Sequence, residues 1–360
     1  MMLYKLLSAT DKRNITAEVI SLTDIGPVGK KIEGLGIPAH ALGMSRGVPS
    51  LAALFKLIRL LKETKPDVIQ SWMYHADLLA GVAAKLAGGI PVVWGIRQSD
   101  LSPAASKKST ILTAKICAFA SGYLPKKIIC CSEASARVHA ELGYSADKML
   151  VIPNGFNLKQ FKPDMSARDK ILNALGIDEG CFVIGLVGRF DPQKDHYNFI
   201  KAAEILLKNN AHVQFLLCGD GIDESNFKLM EWIEQAGIKE HVHLLGRRDD
   251  ISELNSAMDI SSSSSFGEGF PNVIGEAMAC ATPCVVTDVG DSALIVGDAG
   301  LVVAPRAPGA LAAAWEKMID MGEAQRQAMG FKARERIMEK FSLPKIALRY
   351  EQLYQSMDTE

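Results

Sequence analysis

Long hydrophobic runs are missing from this 360-residue chain. Residues 111–120 are interrupted by Lys115 and residues 78–90 by Lys85, so nothing approaches the roughly 18 apolar residues of a membrane-spanning helix. A disulfide framework is missing too. The seven cysteines are odd in number, Cys130 and Cys131 are adjacent, and Cys280 and Cys284 lack further ligands at metal spacing. They read as reduced core thiols in a cytoplasm, on strands (Cys130, Cys218, Cys284) and helices (Cys117, Cys280), where cysteine packs as a small hydrophobe. There is no Asp-x-Asp loop and no His/Asp/Glu cluster at metal spacing, so no metal and no cofactor is expected. No strand ends in a Gly-x-Gly-x-x-Gly turn, which disfavours hydride transfer.

Net charge is nearly absent at −1, yet residues 1–162 carry 21 Lys/Arg against 11 Asp/Glu, a net of +10, and the remainder 19 against 30, a net of −11. Lys107, Lys108, Lys115, Lys126 and Lys127 gather around one predicted helix. They suit either a solvated face or contact with an anionic surface such as a membrane or a lipid-linked phosphate. Nucleic acid is not an expected partner.

A hydrophobic fraction of 48% with 22% charged residues is that of a globular protein, and the length calls for two domains. Leu3, Leu6 and Leu7 open the chain at helical spacing. Thereafter strands at 16–21, 38–42, 68–71, 91–96, 127–131 and 149–153 alternate with helices at 26–35, 49–63, 77–87, 107–121 and 133–142. Residues 161–180, with an isolated helix at 168–175, read as a linker. A second alternating series has strands at 182–187, 213–218, 241–245, 260–263, 283–287 and 300–303, with helices at 196–208, 224–236, 251–258, 272–279, 309–321 and 323–341. Pro344 is read as breaking the chain before a last helix at 345–356. Apolar strands alternating with amphipathic helices predict α/β architecture, with parallel sheets covered on both faces. The expected domains are 1–162 and 163–344.

The stretch SSSSSFGEGFPNVIGEAMACATPC, residues 261–284, carries the chemistry. Pro271 suits the first turn of a helix over 272–279, whose free N–H groups at Gly269, Phe270 and Asn272 and whose dipole favour a phosphate. Glu268 before that helix and Glu276 inside it can each accept two sugar hydroxyls. A sugar nucleotide is the ligand implied. Arg189 and Lys194, in the loop opened by Gly188, can grip a diphosphate, the first bidentately and the second as a point charge. Gly219 and Gly221 let backbone approach the ligand closely, or make an ordinary strand-end turn. Strand-end loops of this kind converge on one edge of an open α/β sheet.

At Glu268-Gly-Phe-Pro-Asn-Val-x-x-Glu276-Ala-Met-Ala, with the upstream Gly188-Arg189-Phe190 and Lys194, the sequence resembles the family-4 retaining glycosyltransferases, over about residues 67–354. The resemblance implies the GT-B fold, two Rossmann-like doubly wound domains facing a cleft, with the nucleotide sugar in the second, the acceptor in the first and the last helix, 345–360, crossing back to the first. It places Glu268 at the donor sugar, Glu276 at the ribose, Arg189 and Lys194 at the diphosphate, and the backbone of the loop of Arg247 and Arg248 at the base, although solvent exposure is the favoured reading of both arginines. Retention is implied to proceed by front-face departure, the β-phosphate taking the acceptor proton, without a covalent nucleophile. Family members usually open with a strand and a glycine loop that this sequence does not show, so the first domain is expected to lack its first strand through a misassigned or truncated start.

Arg97, after strand 91–96, can grip an acceptor phosphate, and His75 can orient an acceptor hydroxyl; a structural role is the alternative for each. The reaction implied is hexosyl transfer from a UDP- or GDP-type sugar to a saccharide or lipid-linked acceptor in cell-surface polysaccharide or lipopolysaccharide biosynthesis. Its place is the cytoplasm, with peripheral contact at the inner face of the membrane. The alternatives are a sugar-nucleotide epimerase of the same fold and a nucleotide-sugar-binding protein inactive through its missing start.

Overall fold

Strand order decides which loops of this chain can meet. The computed structural model describes residues 2–45, 50–102 and 106–357. They form two units, Met1–Gly155 with Leu343–Glu360, and Phe156–Ser342.

The first unit runs α1 (Met2–Ala9), β1 (Val19–Ser21), α2 (Gly26–Glu33), β2 (Ala39–Ala41), α3 (Leu51–Thr64), β3 (Ile69–Gln70), α4 (Tyr74–Ala87), β4 (Val92–Ile96), α5 (Lys108–Ala120), β5 (Lys127–Cys130), α6 (Glu133–Glu141) and β6 (Met149–Val151). Strands β3, β4, β5 and β6 pair in that order as a parallel four-stranded sheet, and β1 and β2 pair in a separate two-stranded one. Every residue of β4 is buried, as a strand covered on both faces requires. Ser50 and Ser132 start α3 and α6 by accepting the N–H groups of Ala53 and Ser135 at 3.2 and 2.9 Å.

The C-terminal helix Leu343–Ser356 also belongs to this unit, burying Ile346, Ala347 and Tyr350 against Leu6, Val93, Ile129 and Ile152. Two details depart from the sequence-based expectation. Pro344 lies inside the first turn of this helix instead of breaking the chain before it, because a first-turn residue has no intrahelical use for an N–H. The other lies on the helix itself, whose Leu348 faces solvent although Ile346 and Ala347 before it are buried.

The second unit runs α7 (Ala167–Leu175), β7 (Phe182–Val187), α8 (His196–Leu207), β8 (Val213–Cys218), α9 (Phe227–Gln235), β9 (Val242–Leu244), α10 (Ile251–Ala257), β10 (Ile260–Ser263), α11 (Asn272–Ala279), β11 (Cys284–Thr287), α12 (Ser292–Val296), β12 (Gly300–Val303), α13 (Pro308–Asp320) and α14 (Gly322–Lys340). Its six strands are parallel in the order β12-β11-β10-β7-β8-β9. The chain winds outward from β7 through β9, then returns to pair β10 on the other side of β7, so order reverses between β7 and β10.

One side of this sheet is filled by Phe199, Phe215 and Trp315, whose rings meet edge-on or tilted at 5.0–5.8 Å. The other carries Leu172, Leu216, Leu254 and Met258. The serine run is a buried central strand and its exit, with Ser262 Oγ accepting the Trp315 indole N–H at 3.0 Å. Phe156 opens the unit: its N–H bonds Phe341 O at 2.9 Å and its ring stacks on Phe270.

Helix α9 begins at Phe227, three residues after the expected 224. Asp223 ties Ser225 into a turn and Asn226 caps the helix by accepting Leu229 N–H at 3.2 Å. The short α12 had no counterpart in the sequence reading.

Candidate active site

In an open α/β sheet the carboxyl ends of two strands diverge at a reversal of strand order, leaving room for a ligand. Here the loop after β7 carries Arg189 and Lys194, and the loop after β10 carries Glu268. Lys194 Nζ lies 2.5 Å from Glu268 Oε1, and the two side chains are only 22% and 12% exposed. Ser265 Oγ donates to the same carboxylate oxygen at 2.8 Å. The two loops are also stitched through backbone, since Phe266 N–H bonds Gln193 O at 2.9 Å and Ser264 Oγ donates to Lys194 O at 2.8 Å. Lys194 and Ser262–Ser265 line a small cavity with Leu186, Val187 and Val273.

Beneath the carboxylate lie residues that sequence reasoning missed. Gly290 has φ +56°, and a Cβ there would stand 2.5 Å from Glu268 O. Asp291 N–H bonds Gly269 O at 2.9 Å, and Thr287 Oγ1 donates to Ser265 O at 2.6 Å. The loop after β11 therefore holds up the loop that carries Glu268. The signal was present as Asp-Val-Gly-Asp following an apolar strand, the same strand-then-glycine pattern as at Gly188 and Gly219.

Glycine is required for contact at the third loop as well. A Cβ on Gly219 would meet Gly188 O at 2.1 Å, and Gly219 N–H bonds Gly246 O at 2.9 Å, so the loops after β7, β8 and β9 touch through their backbones. Gly221, with φ +72°, packs beside Phe190. Arg247 is exposed, as the favoured reading had it, but Arg248, given the same reading, is half-buried because its guanidinium turns back to pair with Asp250.

Arg189 is largely exposed and bonds Asp191 at 2.8 Å, not Glu268. Burial pushes the Asp191 carboxyl up, but the Gln193 N–H and Arg189 outweigh it and leave it below its ordinary range. Asp195, at φ +49°, caps α8 by accepting Asn198 N–H at 3.3 Å. His196, the next residue, is buried beside Gly188 and Phe190; burial first, and then the Lys194 charge, hold its pKa down to about 4. It is a neutral imidazole at physiological pH.

Pro271 is the N-cap of α11 rather than a residue of its first turn, with φ −73° and ψ 100°. As a cap it makes no side-chain hydrogen bond to the helix end at Asn272. The Phe270 ring turns inward between Phe156 and Phe341, so only its backbone faces the helix N-terminus. Gly275 admits the Phe156 ring, which a Cβ would meet at 2.1 Å. Glu276 stands half-buried one turn into the helix.

His75 and Arg97 lie in the first unit. His75 is exposed in the first turn of α4, 3.5 Å from Thr113 Oγ1. The Arg97 guanidinium lies over the Trp72 ring at 4.6 Å and close to the Tyr350 phenol, and it has no salt-bridge partner among the described residues. Among the described residues no three His, Cys, Asp or Glu side chains form a metal-binding group, and no helix is long and apolar enough to cross a membrane. None of the seven cysteines is in a disulfide, and burial raises the thiols of Cys117, Cys130 and Cys284 to about 12.

The reversal point of this sheet thus brings a lysine and a carboxylate together beside the amino end of α11, in a parallel α/β unit. Two family models together account for most of the chain: Glycosyltransferase Family 4 matches residues 1–160 and Glycosyl transferases group 1 matches residues 181–321. The chain belongs to the family-4 glycosyltransferases of the GT-B fold.

It is 29% identical over 252 residues to the Escherichia coli UDP-Gal:alpha-D-GlcNAc-diphosphoundecaprenol alpha-1,3-galactosyltransferase, covering 69% of this chain and 65% of that protein. To the Staphylococcus aureus capsular polysaccharide biosynthesis glycosyltransferase CapM it is 27% identical, covering 88% of this chain and 84% of the relative. The crystal structure of Anabaena Alr3699/HepE in complex with UDP shares its fold, with a TM-score of 0.84 at 24% identity, over 99% of this chain and 96% of that one.

Proposed function

We propose that the chain transfers a hexosyl unit from a nucleoside-diphosphate sugar, UDP-linked in the first instance, to a saccharide or lipid-linked acceptor, retaining the anomeric configuration and using no metal ion. The observation that carries this reading is the Lys194–Glu268 pair at the strand-order reversal beside the amino end of α11.

A diphosphate reaching the β7 loop exchanges one anion for another at Lys194 and frees Glu268 to accept sugar hydroxyls. Arg189 adds two donors in a fork that matches phosphate oxygens. As the bond from the anomeric carbon to the diphosphate breaks, charge gathers on the leaving oxygens. Fixed cations and helix N–H groups stabilise that charge more than the ground state. The acceptor oxygen attacks from the face the diphosphate leaves, and its proton passes to the departing β-phosphate. Glu276, one turn deeper, is assigned to the ribose hydroxyls. Arg97, charged and without an acid partner, suits an acceptor phosphate; Arg97→Ala should raise the acceptor KM and leave donor KM unchanged.

Relatives named for transfer to a diphosphoundecaprenol-linked sugar and for capsule synthesis support a role in cell-surface polysaccharide assembly at the inner face of the membrane. Cysteines outside any disulfide agree with a reducing cytoplasm. The test is proton NMR of the product formed from UDP-hexose and a diphosphate-linked GlcNAc acceptor, with and without a chelator. An α-linked product from an α-donor, at a rate the chelator does not change, is expected. An inverted product or abolition by chelation would contradict the mechanism, and conversion of donor without acceptor would favour an epimerase.

A further inference from the structure

Arg306 stands in a backbone conformation that ordinarily calls for glycine. Its φ is +56°, in the turn between β12 and α13, with Pro305 before it and Pro308 two residues on. A side chain other than that of asparagine or aspartate is uncommon in this left-handed region, because its Cβ crowds the following carbonyl oxygen. Such strain persists only where the surroundings over-determine it.

The side chain supplies a contact that could hold it there. The Arg306 guanidinium carbon lies 4.0 Å from the centre of the Phe266 ring. Strand β12 is at the sheet edge and two places from β10, about 10 Å away at the usual strand spacing, so arginine and phenylalanine together bridge the loops that follow the two strands. Among the described residues no carboxylate forms a salt bridge with Arg306. Its charge nevertheless reaches Asp195, the cap of α8: burial lifts that carboxyl above its ordinary range, and the Asn198 N–H and Arg306 only partly offset it.

Phe266 is the residue through which Glu268 is held from one side. Glu268 lies between Gly267 and Gly269, so its own stretch of backbone is permissive and its placement falls to contacts on its neighbours. On the far side, Asp291 N–H bonds Gly269 O. On the near side, Ser265 donates to the carboxylate, and Phe266 is pinned at its N–H by Gln193 O and at its ring by Arg306. We infer that Arg306 is a positioning residue for the transfer: by stacking on Phe266 it fixes residues 264–268 and so aims the Glu268 carboxylate at the donor's hexose. This inference rests on the transfer reading above.

Arg306→Gly tests it, because glycine accepts φ +56° and removes the stack without straining the turn. The full chain and its variants are compared in initial rates with a UDP-hexose and the diphosphate-linked GlcNAc acceptor, in calorimetric titration of UDP, and in thermal unfolding. Arg306→Gly should unfold within about 2 °C of the native chain. It should bind UDP, which carries no hexose for Glu268 to hold, with unchanged Kd, and lose about tenfold or more in kcat. Phe266→Leu should lose as much, and the double variant no more than the larger single loss, since both substitutions remove one contact. The inference fails if Arg306→Gly turns over within about twofold of native, if it unfolds well below native, or if its UDP affinity falls by the same factor as kcat. Single losses that multiply in the double variant would also overturn it. A native chain that neither binds UDP nor transfers a hexosyl unit overturns the transfer reading, and this inference with it; an active native chain matched by Arg306→Gly overturns this inference alone.

Discussion

Lys194 meets Glu268 at 2.5 Å in a half-enclosed setting, so each side chain gives the other its charge partner and its position. Removing the lysine takes the cation from beside this carboxylate, to which Ser265 still donates, and takes away the cation assigned to the leaving group. Lys194→Ala is therefore expected to lower kcat by about 10²–10³-fold, with a smaller effect on donor KM, measured in initial-rate kinetics. A different residue sets a pH dependence in the first unit. Asp77 is fully buried and accepts from Ser71 Oγ at 2.6 Å and Gly95 N–H at 3.3 Å, yet burial raises its pKa to about 7. With the folded value above the unfolded one, the protonated acid stabilises the fold fully below about pH 4, and that contribution is lost as pH rises toward 7. Asp77→Asn keeps both acceptor contacts without the charge. At pH 8 it should unfold at higher denaturant than the native chain, by up to about 4 kcal/mol, with the gap closing near pH 4.

At the scale of elements, strands and helices were legible because apolar runs end in glycine or proline and because Ser50 and Ser132 mark helix starts. What escaped depends on partners far along the chain. Nothing local distinguishes Pro271 as a cap from Pro271 in a first turn, and α12 is five residues long, too short for a periodicity. The pairing of Lys194 with Glu268 was not legible either, although both were named, because it follows from the reversal between β7 and β10 rather than from spacing. The loop after β11 is the clearest omission. Gly290→Ala would combine a left-handed backbone, costing about 1–2 kcal/mol, with a Cβ against Glu268 O. The variant should fold, unfold a few degrees lower, and lose at least tenfold in kcat/KM as the Glu268 loop shifts. Activity equal to native would remove the supporting role assigned to that loop.

Across the whole molecule the two units respond to acid differently. The second unit buries His196, whose pKa is depressed to about 4 by burial and by Lys194. The unfolded chain takes up that proton near 6.5, so the stability this neutral imidazole contributes is present above that pH and lost as pH falls toward 4, about 3 kcal/mol in all. In the first unit Asp77 gains over part of the same range while His139, also held down by burial, loses. Between pH 7 and 5 the calorimetric transition of the second unit should move down, and His196→Asn should flatten that shift; an unchanged slope in the variant would assign the acid sensitivity elsewhere. The sequence separated the two units by charge as well as by pattern, the first basic and the second acidic. It could not place Phe156, which joins the second unit through a ring buried under Gly275.

The account rests on the second unit's sheet edge as a nucleoside-diphosphate sugar site. Calorimetric titration of UDP into the native chain and into Glu276→Ala and Lys194→Ala tests it most directly. Saturable one-to-one binding, weakened about tenfold or more by each substitution, is predicted for chains that keep their native unfolding temperature. Binding of UDP that neither substitution alters, or no binding by the folded native chain to UDP, GDP, ADP or CMP, would contradict it.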